Sequence, residues 1–301
     1  MSTDTLTSAT SIETSKHLHQ VHKRKSAGKS ILFHGFMLAL LVVVLYPVVW
    51  MIASTFKPSA DIIGSVSLIP KTASWDNYIT ALGGIGGTSF WTFVINSLIL
   101  AIGSVLGVLL SCSMAAYAFA RLDFPGQNVF FALMIFTLLL PFHVVVIPQY
   151  IVFNMLGLVD TFVPLLVGKF LATDAFFVFL MVQFIRGLPP SLDEAARIDG
   201  AGHVRVFTSI ILPLMRPAMV TSSLFAFIWS WNDFFGPLIY LKSPNMATLP
   251  VALRLYVDQT TNSDFGAQMA MAVLALIPVA IFFAIFQRQL VEGVATQGIK
   301  G

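Results

Sequence analysis

The sequence contains few charged residues. Aspartate, glutamate, lysine and arginine make up 10% of the 301 residues, whereas apolar residues make up 57% and the mean hydropathy is +0.85. Soluble domains contain about 25% charged and about 45–50% apolar residues. A water-soluble fold has no surface on which to hide so much apolar area, so a soluble globular protein is excluded. The composition predicts a protein that crosses a membrane several times.

Cysteine is almost absent. The single residue, Cys112, lies in an apolar stretch, so a disulfide within the chain is impossible. The six histidines form no H-E-x-x-H pattern, and three of them, His17, His19 and His22, fall in a polar N-terminal segment. The sequence therefore predicts no metal site and no disulfide framework.

A nucleotide-binding motif is also lacking. Gly28-Lys29-Ser30 imitates the end of the G-x-x-x-x-G-K-[ST] motif, but the required earlier glycine falls at Lys23 and no predicted strand precedes it. The glycine run at 83–87 has the wrong spacing and is interpreted as a flexible turn. We expect no cofactor on this chain.

Six long apolar runs follow a polar segment. Residues 1–30 are rich in serine and threonine and basic towards their end, which predicts a disordered cytoplasmic leader. A signal peptide is the competing interpretation, but the first run has about the 20 residues of a spanning helix and exceeds the roughly 7–15-residue core of a signal. We predict a membrane domain over 31–301 with six helices, at 31–52, 90–120, 129–150, 162–185, 218–241 and 267–286.

Basic residues are distributed unequally between the two sides of the predicted bundle. Six spans place both termini on one side, and that side carries twelve of the 17 basic residues against four on the other. By the positive-inside rule, both termini are predicted to be cytoplasmic. Lys169, in or near a span, is expected to extend towards the outer interface. The twelve are Lys16, Lys23, Arg24, Lys25, Lys29, Arg121, Arg186, Arg197, Arg205, Arg216, Arg288 and Lys300, and the four are Lys57, Lys71, Lys242 and Arg254.

The segment 189–213, between the fourth and fifth predicted spans, has the pattern of two short helices. Two prolines end the preceding helix, and Ser191 with Glu194 three residues later predicts a capping box. Gly200 and Gly202 predict a helix end and a turn, after which a second short helix follows. These features fit an ordinary cytoplasmic loop and a docking element for a partner protein equally well.

The same segment resembles the EAA loop of ABC-importer permeases. Glu194-Ala195-Ala196, Gly200 after three residues, and Ile210 with Leu212-Pro213 further on match the signature without a mismatch. The resemblance implies that the loop docks in a cleft on a cytosolic ATPase and transmits its closure to the membrane helices. It implies a coupling role for Glu194, Ala195, Ala196, Asp199, Gly200 and Ala201.

Weaker motifs extend the resemblance over nearly the whole chain after the leader. They are similar to the carbohydrate branch of the family, and the C-terminus is similar to the maltose-type, G-like permease. The motifs include Phe56-Lys57-Pro58, Asn96-Ser97-Leu98-Ile99, Ile147-Pro148-Gln149-Tyr150, Trp231-Asn232-Asp233-Phe234 and Gly298-Ile299-Lys300-Gly301.

The resemblance implies an all-α, type I ABC-importer permease fold in the cell membrane. It also implies a sugar as substrate, a second permease that completes a heterodimer, an ATPase dimer that binds ATP and Mg, and an extracytoplasmic solute-binding protein. The chain itself is then not an enzyme, since ATP hydrolysis resides on a partner, and it is surrounded by lipid and contacts no nucleic acid.

Two acidic residues, Asp174 and Asp233, fall inside predicted spans. Ionisable groups in lipid cost roughly 2.5–3.5 kcal/mol each on insertion scales, so they normally face a protein or water interior. Trp231, Asn232 and Asp233 combine an aromatic ring with polar groups, as a neutral sugar requires. We predict that these three and Asp174 border a translocation cavity. Two alternatives remain open: tryptophans such as Trp229 serve as interface anchors, and Asp233 pairs with a partner subunit.

A secondary transporter is the alternative function. It would couple an ion through intramembrane charges and commonly shows internal repeats of spans, but the two halves show no clear repeat. An aspartyl intramembrane protease would use two membrane aspartates, but neither lies in a Gly-x-Gly-Asp setting.

Overall fold

The computed structural model describes residues 30, 32–64, 66–256 and 264–295. This part of the chain is a bundle of α-helices, and its only β-type pairing is an isolated bridge between Ile85 and Thr88. The predicted all-α fold class is therefore confirmed. The predicted leader, 1–30, lies almost entirely outside the described residues.

Long apolar helices alternate with short ones along the chain. A π-helical turn at Phe207–Ile211 links two of the short helices, and a 3₁₀ turn at Pro244–Met246 precedes another. The helices are α1 (Leu32–Ser54), α2 (Ser59–Ile62), α3 (Asp76–Gly83), α4 (Phe90–Arg121), α5 (Gln127–Thr137), α6 (Phe142–Met155), α7 (Val163–Phe170), α8 (Ala175–Arg186), α9 (Ser191–Ile198), α10 (His203–Val206), α11 (Leu212–Leu214), α12 (Arg216–Trp231), α13 (Phe235–Tyr240), α14 (Leu249–Leu255) and α15 (Phe265–Ala295).

Four segments in the described part of the chain are long and apolar enough to cross a membrane. They are α1, α4, the α7–α8 stretch at Val163–Arg186, and Phe265–Gln287 of α15. The stretch His203–Leu214 joins α12 at a bend of 74° and counts as a fifth span if the bent pair is taken together.

The predicted third span, 129–150, differs from the expectation of one continuous helix. It consists of α5 and α6, which are separated at residues 138–141. Pro141 has an extended backbone (φ −62°, ψ 131°) and lacks the N–H that a helix interior requires. The proline therefore begins a new helix here instead of lying within a kinked one.

Helix α4 forms the centre of the bundle. It is 32 residues long and packs against α7, α8 and α12. One cluster of buried side chains lies towards its Phe90 end and includes Phe93 and Met271, and another lies towards its Arg121 end and includes Met181. Helix α1 contributes no residue to either cluster, and over residues 32–49 its side chains are exposed, as expected for contact with lipid or another chain.

The fourth predicted span is broken between α7 and α8, and α4 stabilises the break. The Ser111 hydroxyl donates to the Lys169 carbonyl oxygen at 2.6 Å and accepts from the Ala172 N–H at 3.1 Å. Ala172 has a φ of 54°, in the left-handed region that non-glycine residues rarely adopt. Because Ser111 satisfies backbone groups that the break releases, this interruption is part of the fold.

At the Phe90 end of the bundle, α4 holds the segment that follows α13. The Asn96 side-chain amide donates to the Asn245 and Ala247 carbonyl oxygens at 2.8 and 2.9 Å. The Ser97 hydroxyl accepts from the Leu249 N–H at 2.9 Å. These bonds fix the start of α14 against α4, so two residues of the Asn96-Ser97 motif have a structural role.

Asp160 fastens the connection between α6 and α7 to the end of α13. Its N–H donates to the Tyr240 carbonyl oxygen at 2.8 Å, and its carboxylate accepts from the Lys242 and Ser243 N–H groups at 2.8 and 2.9 Å. The Ser243 hydroxyl also donates to the carboxylate. These hydrogen bonds, that of the Ser243 hydroxyl first, hold the pKa of Asp160 below its ordinary value.

Candidate functional site

The segment 189–213 forms the predicted pair of short helices. Helix α9 ends before Gly200, which has a φ of 79° and so uses the left-handed conformation that glycine tolerates. Residue Gly202 then precedes α10, and the chain continues without interruption through the π-helical turn into α11. The predicted turn between two helices is therefore present.

The predicted capping box at the start of α9 is not formed. Pro190 already has helical angles (φ −61°, ψ −26°), and its carbonyl oxygen accepts from the N–H groups of Asp193 and Glu194 at 3.0 and 3.2 Å. Ser191 consequently lies inside the helix, one position too late to act as its N-cap. The proline that ends the previous helix thus also begins this one.

The residues implicated by the EAA resemblance lie at the end of α9 and in the turn that follows it. Glu194, Ala195, Asp199 and Gly200 are exposed, whereas Ala196 and Ala201 are half-buried against the core cluster at the Arg121 end of α4. The small alanine side chains let the two helices lie close to the bundle while the acidic groups face outwards.

Two exposed apolar side chains lie in the same segment, outside the residues that the motif indicates. Ile198 is 87% exposed at the end of α9, and Val204 is 76% exposed in α10. Apolar residues in an otherwise polar loop are the signal that identifies them. Exposed apolar side chains among charged ones, here the acidic Glu194 and Asp199 and the basic Arg197 and Arg205, are typical of a surface that another protein covers.

A cavity of about 540 Å³ lies in the bundle between α4, α7, α12 and α13. Two interruptions of the predicted spans lie beside it: the break after α7, and the break between α12 and α13 at residues 232–234. Broken helices expose backbone polar groups and are typical of the substrate sites of membrane transporters. The polar and aromatic side chains that line the cavity are Ser104, Lys169, Trp229, Ser230, Asn232 and Asp233.

Asp233 and Asn232 both line this cavity. The Asp233 carboxylate accepts from the Gly236 N–H at 3.1 Å and so caps the start of α13. The Asn232 amide donates to the Ile228 carbonyl oxygen at 2.8 Å. Each side chain also has further hydrogen-bonding capacity, which a sugar hydroxyl requires.

Asp174 reaches the cavity only through Lys169. It lies at the start of α8, and its carboxylate is 2.9 Å from the Lys169 ammonium. The expectation that Lys169 extends to the outer interface is thus corrected, because a nearby carboxylate holds the ammonium inside the bundle. One ion pair therefore spans the break of the fourth span.

Trp231 does not line the cavity. It is 2% exposed, its ring stacks on that of Phe227, and its indole N–H donates to the Ala275 carbonyl oxygen at 3.2 Å. Trp229, for which an interface role was the alternative, lines the cavity and contacts the ring of Phe177. The aromatic side chain that lines the cavity is therefore Trp229, two positions before the predicted Trp231.

The sequence matches the family described as binding-protein-dependent transport system inner membrane component over residues 103–296. The arabinooligosaccharides transport system permease protein AraQ of Halalkalibacterium halodurans is 34% identical over 270 residues, which is 89% of this chain and 95% of the relative. The multiple sugar-binding transport system permease protein MsmG of Streptococcus mutans is 33% identical, covering 86% and 93%. The trehalose transport system permease protein SugB of Mycobacterium tuberculosis is 33% identical, covering 85% and 93%.

The fold is similar to that of a chain in the crystal structure of a bacterial ABC transporter that imports the acidic polysaccharide alginate. The TM-score is 0.74 over 86% of this chain and 95% of that one, at 24% sequence identity. The expected type I permease fold is therefore confirmed.

Proposed function

The chain belongs to the family of binding-protein-dependent transport system inner membrane components, and from this we propose its role as the sugar-conducting subunit of an ATP-driven importer. It is a multi-pass protein of the cell membrane and not an enzyme. The observation that carries the proposal is the EAA signature, which lies on the exposed helices α9 and α10 at one end of the bundle. These helices fall within the residues that match the family. Its relatives are named for oligosaccharides and disaccharides, so the substrate class is carbohydrate.

Proteins of this family work with an ATPase and a solute-binding protein. We assign the contact with the ATPase to the surface formed by α9 and α10, where Glu194 and Asp199 flank the apolar Ile198 and Val204. ATP and Mg bind to an ATPase dimer, and a second permease completes a heterodimer with this chain. The exposed apolar face of α1 is compatible with such a neighbour.

The orientation of the chain in the membrane follows from the distribution of its basic residues. Arg121 and Arg186 lie at the same end of the bundle as α9, and basic residues concentrate on the cytoplasmic side of a membrane. Both termini and the EAA loop are accordingly cytoplasmic, and the opposite end, which holds the Asp160 contacts, faces the solute-binding protein.

Transport then proceeds by exchange between two arrangements of the bundle. The binding protein delivers the sugar to the outer face, ATP closes the ATPase pair, and the docked loops move with it. This movement shifts the helices between inward-facing and outward-facing access, and hydrolysis resets them. The chain contributes the docking surface and the path, whereas the chemistry occurs on its partner.

The cavity between α4, α7, α12 and α13 forms part of the sugar path. Asn232, Asp233 and Ser230 offer both donors and acceptors, and Trp229 offers an aromatic face. A few polar groups on a mostly apolar wall are typical of a small-molecule site. The Lys169–Asp174 pair holds the shape of one side of this cavity.

Replacing Asp233 is expected to slow sugar uptake. Asp233→Ala removes an acceptor from the cavity, and one hydrogen bond of about 1–1.5 kcal/mol corresponds to a roughly 5–10-fold lower rate. The measurement is uptake of radiolabelled sugar in cells with equal amounts of assembled transporter. Asp233→Asn retains the acceptor for the Gly236 N–H but removes the negative charge, so comparing it with Asp233→Ala distinguishes the effect of capping α13 from the effect of the charge. Asp123→Ala, at an exposed position, is the control. Normal uptake with Asp233→Ala would remove this residue from the path.

The energy source tests the function itself. We expect uptake to stop when cellular ATP is depleted and to continue when the ion gradients are collapsed with ATP held constant. The purified wild-type chain is expected to bring an ATPase and a second permease with it. If uptake instead continued without ATP and stopped when the ion gradients were collapsed, and if the chain purified alone, the protein would be a secondary transporter.

A further inference from the structure

A buried ion pair joins α9 to the end of α4. The Arg121 Nε atom lies 2.6 Å from an Asp193 carboxylate oxygen, and the two side chains are 9% and 8% exposed. A terminal guanidinium nitrogen of Arg121 also donates to the Leu188 carbonyl oxygen at 2.8 Å. One arginine therefore holds both the chain that enters α9 and the first turn of α9 itself.

This ion pair is poorly suited to stabilising the fold. Burying two charges costs several kcal/mol per ion, and the loss is offset only when further hydrogen bonds satisfy both partners. The second carboxylate oxygen of Asp193 and the Nε atom of Arg121 are both buried without a hydrogen-bond partner among the described residues, so the 2.6 Å contact lacks hydrogen-bond geometry. Apolar pairs at such positions are often as stable or more so. The contribution of the pair is therefore to fix where α9 lies.

Few other contacts hold α9 in place. Leu192, Glu194, Arg197 and Ile198 are exposed, and Ala196 is the member of α9 that packs against the core cluster below it. An alanine side chain buries little apolar area against a neighbouring helix. The position of α9 relative to α4 consequently depends on Arg121 and Asp193.

Helix α4 extends without a break from this ion pair to the cavity. Ser104, which lines the cavity, is 17 residues before Arg121, or roughly 25 Å along a helix. Gly107 and Ser111, in between, contact the break of the fourth span. A displacement of α9 applied at Arg121 therefore acts on a rigid element that reaches both the cavity wall and the break.

We propose that Arg121 and Asp193 form the mechanical link through which movement of α9 is transmitted to α4 and the cavity. The proposal rests on the docking function of α9 argued above. Both residues are positioning residues: they are covered by the bundle and lie apart from the exposed surface of Glu194, Ile198 and Val204. The link is thus separable from docking.

The double variant Arg121→Met, Asp193→Leu separates stability from transmission. It replaces the ion pair by apolar groups of similar size, so the assembled complex is expected to keep its thermal stability and its ATPase. The reporter is Ser230→Cys in the cavity, in a Cys112→Ala background that leaves one thiol. The measurement is the rate at which N-ethylmaleimide labels this thiol in nanodiscs, with and without ATP, Mg²⁺ and orthovanadate.

With the ion pair intact, trapped nucleotide is expected to change the labelling rate at least about fivefold. In the double variant the rate is expected to stay constant although nucleotide is still trapped. Arg121→Lys keeps an ion pair, so its labelling rate is expected to change with trapped nucleotide. Arg186→Met removes an exposed arginine at the same end, which contacts Phe131 instead of α9, and is expected to respond fully.

Two results would overturn the link. In the first, the labelling rate of the double variant changes with trapped nucleotide as in the wild type, which shows that the pair only fills space. In the second, the labelling rate of an assembled Arg121→Lys complex does not change, which contradicts the ion pair as the transmitting contact. If the wild-type complex traps no nucleotide or shows no change, the proposed function itself fails and the link fails with it. The first two results leave that function intact, so the failures are distinguishable.

Discussion

Glu194→Lys is expected to abolish sugar uptake while the chain remains in the membrane. Glu194 is exposed in the first turn of α9 and belongs to the surface that we assign to the ATPase. An acidic group there is also favoured by the helix N-terminus, so a lysine reverses a favourable interaction. Loss of one central interface residue costs about 2 kcal/mol or more, which weakens docking roughly 30-fold.

The measurement is the amount of ATPase that co-purifies with the tagged chain, together with uptake. Asp123→Lys is a matched control, because it makes the same change of charge at an exposed position at the same end of the bundle but outside α9. It is expected to leave both readouts near the wild-type values. Full ATPase recovery and uptake with Glu194→Lys would disprove the docking role of this surface.

Among the described residues, hydropathy predicted the four segments that are long and apolar enough to cross a membrane, because the lipid interior requires about 20 apolar residues in each span. It could not predict the interruptions equally well. Pro141 gives a local signal for the gap between α5 and α6. The break after α7 has no proline, and it depends on Ser111, which is 58 residues away from Lys169 in the sequence. Tertiary contacts of this kind leave no mark on a local pattern.

The cavity was predicted in part because composition shows which residue types lie together but not which face they occupy. Trp229 and Trp231 are two positions apart, and residues at that spacing point to different sides of a helix. One of them lines the cavity and the other packs on Phe227, so helical geometry alone excludes a shared role. The EAA motif, by contrast, is continuous in sequence, and its exposure follows from its position between two spans.

Asp193 shows what a motif does not reveal. It is adjacent to Glu194, yet it is buried while Glu194 is exposed, because the two side chains leave α9 in different directions. The match to the EAA signature names the exposed residue. Only the packing of α9 on α4 identifies the residue that holds the helix.

Gly107→Ala is expected to destabilise the bundle and to slow uptake, although it adds a single carbon. A Cβ atom at Gly107 would lie 2.9 Å from the Lys169 Cβ and 3.0 Å from its backbone carbonyl carbon. Backbone cannot rotate away, so α4 and the end of α7 must separate, and overpacking of this kind costs about 1–3 kcal/mol. The separation also disturbs the Ser111 bonds at the break and the cavity beside it.

Gly103→Ala provides the matched control for this second prediction. It lies one turn earlier on the same helix, but its Cβ would meet only the Leu166 side-chain methyl groups, at 3.0 and 3.2 Å. A leucine end can adjust, so the melting temperature of the purified complex should fall clearly further for Gly107→Ala than for Gly103→Ala, and uptake should follow the same order. Equal effects of the two substitutions would mean that close approach of α4 to Lys169 is not required. The break would then have to be held by Ser111 alone, and Ser111→Ala, which removes its hydroxyl without adding volume, would give the larger loss.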